Sequence, residues 1–281
     1  MVFFKALSLL PLSLLYVLSD FLYILLYYIV RYRRRVVLEN LQKSFPDKSA
    51  GERLLLTKAF YKNLTDTFVE TLKVLSLSEA GMRHRVALVN TDFLKTYVSQ
   101  GKVVLVMSSH SCNWEWGGLA TRLIGPGVDP VYKPLSSPFF DRVMNKIRSH
   151  YGSEPVSMQG LLRNIVRRRS QPRLIGLVAD QAAELPVTAY WTTFLNQETD
   201  FFVGAEKIAR SYQYPVAYAA IKRLRRGHYQ MTYSLLAEPP YEDLPPMAIT
   251  EKYVRTLEAD IRENPADWLW SHNRWKHKRD D

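Results

Sequence analysis

VVLVMSSHSCNWEWG, Val103 to Gly117, starts as five apolar residues and turns, within two serines, into a segment holding a histidine, a cysteine, an asparagine and a glutamate. The apolar run shows no polar alternation, the mark of a strand buried on both faces. Asn113 can cap a helix running to about Leu123, and Gly117, Gly118 and Ala120 let that helix pack closely. His110 thus falls just beyond the carboxyl end of a buried strand, at the mouth of a helix. Open α/β sheets hold their ligands at that edge.

The pattern on either side agrees. Strands are predicted at 130–132, 154–157, 173–180, 188–194, 215–221 and 229–235, and helices near 92–99, 138–150, 161–169, 203–212 and 249–262. Upstream, Ser49 and Glu52 have capping-box spacing, and Leu56, Phe60, Leu64, Phe68 and Leu72 follow as a helical core stripe. Val36 to Pro46 reads as a short amphipathic link. Strands alternating with helices indicate an α/β class with a mostly parallel central sheet flanked by helices.

The polar half of the opening stretch has three readings: a turn, a metal or thiol site, or an acid–base pair. With six histidines and 27 acidic residues, a histidine with a carboxylate five places on arises by chance in about half of such chains. The spacing therefore carries little, and the strand–loop–helix setting carries the case. Glu115, in the first helical turn, can reach back to His110, fix its tautomer and leave the other ring nitrogen to take a proton. Gly-x-Ser-x-Gly is absent, so such a base would act on a substrate hydroxyl. Cys112 has no Cys–His motif around it and reads as a small buried thiol. As the single cysteine it excludes an intramolecular disulfide framework and a cysteine-based zinc cluster, and a reducing compartment fits it best.

A chain of 281 residues, 47% hydrophobic, has ample material for a core and is not a disordered chain. Its net charge of +11 implies an anionic partner. Residues 6–30, ALSLLPLSLLYVLSDFLYILLYYIV, carry only Asp20 as a charge. As a helix they span about 37 Å, enough to cross a bilayer, although Pro11 kinks it and Asp20 costs roughly 2.5–3.5 kcal/mol at mid-membrane unless shielded. A spanning helix and an interfacial one both stay open. RYRRR, Arg31 to Arg35, follows at once and belongs on the cytoplasmic side. The chain divides into a membrane-anchoring helix with its basic flank, 1–35, and a cytoplasmic-face α/β domain, 36–281. Further basic clusters lie at 167–169, 222–226 and 274–279 and suit anionic lipid, phosphate or an acidic carrier protein. No helix-turn-helix, RNP or zinc pattern supports nucleic acid.

HSCNWE, with four residues between His110 and Glu115, resembles the lysophospholipid acyltransferase superfamily, in its branch of bacterial lipid A (Kdo-dependent lauroyl/myristoyl) acyltransferases. NLQKSFP at 40–46, KPLSSPFFDRVMNKIRSHYG at 133–152, LIGLVADQ at 174–181 and PADWLWSHNRWKHK at 265–278 resemble further blocks of that family, in the same order. TTFLNQETDFFVGAEKIAR is a longer and more polar version of its phenylalanine–glycine-rich block. The resemblance implies an O-acyltransferase in lipid A biosynthesis at the bacterial inner membrane, cytoplasmic face. An acyl chain would pass from an acyl carrier protein or acyl-CoA thioester to a hydroxyl of a membrane lipid. His110 would be the general base and Glu115 its orienting partner. Arg148, Asp180, Gln181, Asn113 and Lys133 would contact substrate, and neither a metal nor a cofactor is implied. Backbone amides near Cys112–Trp114, or Arg148, would stabilise the oxyanion. For Arg148 and Asp180 a structural role, bracing the sheet, stays open. Another amphiphile as acceptor, such as an aminoacyl lipid or lysophospholipid, and a non-catalytic lipid-binding protein are the alternatives.

Overall fold

The structure, a computed structural model, describes residues 2–279. Its strands are β1 (Val86–Val89), β2 (Val103–Ser108), β3 (Val128–Tyr132), β4 (Val156–Ser157), β5 (Arg173–Val178), β6 (Tyr190–Phe194), β7 (Gln197–Phe201), β8 (Val216–Arg225) and β9 (His228–Ala237). Its helices are α1 (Val2–Leu9), α2 (Leu12–Ile24), α3 (Arg34–Ser44), α4 (Ala50–Lys73), α5 (Glu79–Arg85), α6 (Asp92–Ser99), α7 (Trp114–Arg122), α8 (Pro138–Arg148), α9 (Leu161–Arg167), α10 (Gly204–Tyr212) and α11 (Ala248–Glu263). The predicted link at 36–46 is the helix α3.

Seven strands form one sheet in the order β1-β9-β8-β2-β5-β3-β4, parallel except for the β8–β9 hairpin. The expected mostly parallel sheet is there, with β2 in its middle. Val103, Leu105 and Met107 face one apolar cluster with α4, α10, α11 and the C-terminal tryptophans. Val104 and Val106 face the other, with Trp116, Leu119, Val143 and Ile147. That is why the run has no polar position.

The predicted strand at 188–194 lies outside the sheet. It forms the hairpin β6–β7, turned by Leu195 and Asn196, whose φ angles of 50° and 64° are those of a two-residue I′ turn. Both strands around that turn carry polar residues, and the buried ones have partners, Thr199 accepting from Trp275 and Asp200 from Arg274. β1, four residues beside the edge of β9, was too short to stand out by periodicity.

The capping box closes as expected, Ser49 accepting from the Glu52 amide and Glu52 from the Ser49 amide. The core stripe does not hold throughout: Phe68 is 45% exposed, while Thr57, Thr65, Asp66, Thr67, Glu70 and Thr71 of α4 are buried. α4 has a helix on one flank and the sheet on the other, so its polar residues meet partners from both. The N-terminal segment runs antiparallel along it. Lys73 donates to the Ser8 and Leu10 carbonyls, Tyr16 to Glu70 and Ser19 to Asp66, and Tyr27 packs on Tyr61. Asp20, still 58% exposed, pairs with Arg226 at 2.7 Å, which also holds Asp66.

Candidate active site

β2 and β5 are neighbours with Ser108 opposite Val178, so the residue two places beyond each strand, His110 and Asp180, meets the other. Asp180 accepts from the His110 amide at 2.9 Å and pairs with its Nδ1 at 2.6 Å, and Trp268 Nε1 donates to it at 2.7 Å. Burial alone would raise the pKa of Asp180. The charge and hydrogen bonds of His110, with that of Trp268, hold it below the usual aspartate value. An ionised carboxylate can only accept, so Nδ1 carries a proton, and in the neutral ring the lone pair is on Nε2. Nε2 faces a small cleft lined by His110, Asp180, Gln181, Trp268, Leu269 and His272, with Gln181 Nε2 at 3.4 Å.

The carboxylate that grips the imidazole is therefore Asp180, where the sequence pointed to Glu115. Glu115 instead takes a fork from Arg148, Nε to Oε2 at 3.1 Å and the second arm to Oε1 at 2.5 Å. Both side chains are largely buried, 18% and 10% exposed, and the guanidinium lies over Tyr132. Burial disfavours the charge on Arg148, but Glu115 more than offsets it and raises its pKa. The pair joins the first turn of α7 to the last of α8.

The loop between β2 and α7 is held from several sides. Cys112 has φ of 49°, a left-handed conformation that a non-glycine residue adopts only when its surroundings fix it. Its amide donates to Asp267, its carbonyl accepts from Thr67, and Leu269 donates to the His110 carbonyl. Its thiol is buried, and burial pushes its pKa well above the ordinary value. Cys112 is the small buried thiol of the sequence reading, and its amide, already donating to Asp267, is not free for an oxyanion.

Asn113 caps α7, accepting from Trp116, and its amide group donates to Glu70 at 2.7 Å. It is fully buried, so it supports the loop and does not reach the cleft as expected of a substrate contact. Glu70 also accepts from Tyr16 and Tyr229, each at 2.7 Å. Lys133 pairs with Glu184 at 2.5 Å on the exposed surface beyond β3.

Much of the basic charge expected for an anionic partner has internal partners. Arg168 pairs with Asp129 and Glu154, Arg223 with Asp66, Arg279 with Glu198, and Arg274 is fully buried on Asp200. Among the described residues no group of three or more His, Cys, Asp or Glu side chains could hold a metal ion.

His272 is the residue sequence reasoning passed over. Burial, then the charge of Arg274, pushes its pKa down to about 4, so it is neutral at pH 7, and its buried Nδ1 has no hydrogen-bond partner in the protein. Its backbone carbonyl accepts from Asn40 of NLQKSFP, which also holds the Trp270 carbonyl. The signal was the histidine within the tryptophan-rich C-terminal block.

A sequence profile described as bacterial lipid A biosynthesis acyltransferase matches residues 1–277. The lipid A biosynthesis palmitoleoyltransferase of Escherichia coli (strain K12) is 22% identical over 246 residues, 87% of this chain and 79% of that protein. The lipid A biosynthesis acyltransferase of Shigella flexneri matches at the same identity over the same length.

Proposed function

The chain belongs to the bacterial lipid A biosynthesis acyltransferases, and from that premise we propose that it moves an acyl chain from a thioester, on acyl carrier protein or CoA, to a hydroxyl of a lipid A precursor. The reaction would run at the cytoplasmic face of the inner membrane. One observation carries the mechanism: Asp180 holds both the amide and Nδ1 of His110 and leaves Nε2 at the cleft with only a long 3.4 Å contact to the Gln181 amide.

In this reading Nε2 of His110 takes the proton of the acceptor hydroxyl as its oxygen attacks the thioester carbonyl. Asp180 keeps the ring in the reactive tautomer and stabilises the imidazolium that forms. The tetrahedral oxyanion collapses, the C–S bond breaks, and the thiolate leaves with the proton returned from the imidazolium. Glu115 acts through Arg148: two of the five guanidinium donors are fixed on Glu115, which aims the rest. Those remaining donors suit the oxyanion or a phosphate of the lipid acceptor. No bound metal or redox group takes part in these steps.

The test is mass spectrometry of lipids from a host lacking this chain, complemented with wild type or His110→Ala. A lipid A species one acyl chain short, restored by wild type alone, is the expected result. Unchanged lipid A with an acyl group lost from an aminolipid or phospholipid would overturn the acceptor. No change in any lipid would overturn the enzyme reading.

A further inference from the structure

The apolar segment Leu12–Ile29 has a mean hydropathy of 1.8, enough by composition for a membrane span. Its attachment to the body is a separate matter. Together with α1 it lies against α4 through polar rungs, from Lys73 on the Ser8 carbonyl, through Glu70 and Asp66, to Lys62 over the ring of Tyr23, and through the Tyr27–Tyr61 ring contact. Arg226 reaches it from the β8–β9 turn and pairs with Asp20. If this helix crossed a bilayer in the structure seen here, Lys62, Asp66, Glu70 and Arg226 would sit at hydrocarbon depth with it.

The helix has two apolar sides with different neighbours. Leu15, Ser19, Tyr23 and Tyr27 face the body and are buried. Leu14, Val17, Phe21 and Ile24, one stripe at helical spacing, are 51–66% exposed. The outward surface continues beyond the helix, because Phe4 of α1 packs on Phe139 and Phe140 at the start of α8, which are 41% and 51% exposed. Exposed Lys5 lies at one end and exposed Arg31, Arg33 and Arg35 at the other, with Arg33 also donating to the Ser271 carbonyl and Arg35 paired with Glu39.

We propose that α1 and α2 lie along a single leaflet without crossing it, and that their outer stripe and the Phe139–Phe140 tip of α8 form one docking surface for an anionic phospholipid bilayer. The apolar stripe enters the acyl–headgroup boundary while the flanking lysine and arginines meet phosphates, the pattern of an interfacial amphipathic helix. The inference rests on the acyltransferase reading only in taking the acceptor to be a membrane lipid. It also gives α8 a use at each end. Its first turn touches the leaflet and its last carries Arg148, roughly 14 Å away along the helix axis.

The test uses the full chain bound to vesicles of phosphatidylethanolamine and phosphatidylglycerol. Nitroxide labels are placed one at a time through Val17→Cys, Phe21→Cys, Ile24→Cys and Phe140→Cys, and their immersion depth is read from oxygen and nickel-chelate accessibility. Buried Cys112 does not compete for label. All four labels at one shallow depth is the expected result. Depth that passes through the bilayer centre along positions 17 to 24, with position 140 in water, would overturn the proposal in favour of a span. Labels in water, or covered because two copies pair through the stripe, would overturn it too. A second measurement, sedimentation with the same vesicles, should show Phe139→Ser with Phe140→Ser lowering partition about tenfold. Unchanged partition would remove α8 from the surface and overturn that half. Neither measurement reads acyl transfer. A spanning result with lipid A acylation intact defeats this inference alone, and shallow docking without acylation defeats the enzyme reading alone.

Discussion

Asp129 and Asp180 sit at opposite poles of the same sheet, each 1% exposed, each with a nitrogen partner at 2.6 Å. Asp129, at the start of β3, accepts from Arg173 and in two directions from Arg168. Arg173 gives its other donors to the Arg168 and Gln171 carbonyls and to Asn164. That pole is closed: a buried carboxylate held by two permanent cations. Asp180, beyond the end of β5, holds an imidazole instead, whose other nitrogen lies at the cleft beside the Gln181 amide. The same buried carboxylate braces a strand start when its partner is arginine and supports proton transfer when its partner is histidine.

The comparison breaks most visibly if the two aspartates respond alike to substitution. Asp180→Asn should lower acyl transfer by about 10²–10⁴-fold, because an amide at that position no longer dictates the tautomer, with the fold retained. Steady-state kinetics beside circular dichroism checks both halves. Asp129→Ala should leave activity per folded molecule near wild type but remove about 3–5 kcal/mol of stability, since buried Arg173 loses its counter-charge, while Arg168 keeps Glu154. Denaturant unfolding reads that loss, and a large fall in activity of the folded fraction would erase the distinction between the poles.

Acid sharpens it further. The pKa of His272 is depressed from 6.5 to about 4 in the folded chain, so below pH 6.5 the unfolded chain binds a proton that the folded one refuses. Its contribution to stability is therefore full above pH 6.5 and declines as pH falls towards 4. His272→Gln should flatten that part of the melting-temperature profile. The smallest effect belongs to Lys133→Ala, whose exposed pair with Glu184 is worth within about 0.5 kcal/mol. A loss of affinity for the acyl donor in that variant would return Lys133 to substrate binding.

How far the sequence could be read follows from the range of the forces involved. The strand at 103–107, the cap at Asn113 and the position of His110 were legible because an apolar run and a helix cap are local signals. The pairing of His110 with Asp180 was not, since it needs β2 and β5 to be neighbours in register, 70 residues apart. Glu115 was the nearer carboxylate in sequence, and its preference for Arg148 depends on where α8 ends. Where the charge is held was hidden for the same reason: Arg223, Arg226 and Arg274 look available in a string and are held by aspartates from distant segments. The resemblance nevertheless picked out Arg148, Asp180 and Gln181, which the fold brings to the same edge as His110 and Glu115.

Glu70 collects hydrogen bonds from three places at once: Tyr16 on the N-terminal helix, Asn113 beneath the loop that carries His110, and Tyr229 on β9. This bears on how the protein can be simplified for study. Cutting away the apolar segment to obtain a detergent-free enzyme deletes Tyr16 and opens one side of a carboxylate that burial already pushes towards its neutral form. A lost partner of that kind costs about 1–3 kcal/mol, and it falls directly under the reactive loop. A shortened version should therefore keep the tyrosine's position filled, or replace Glu70 with glutamine in the same step.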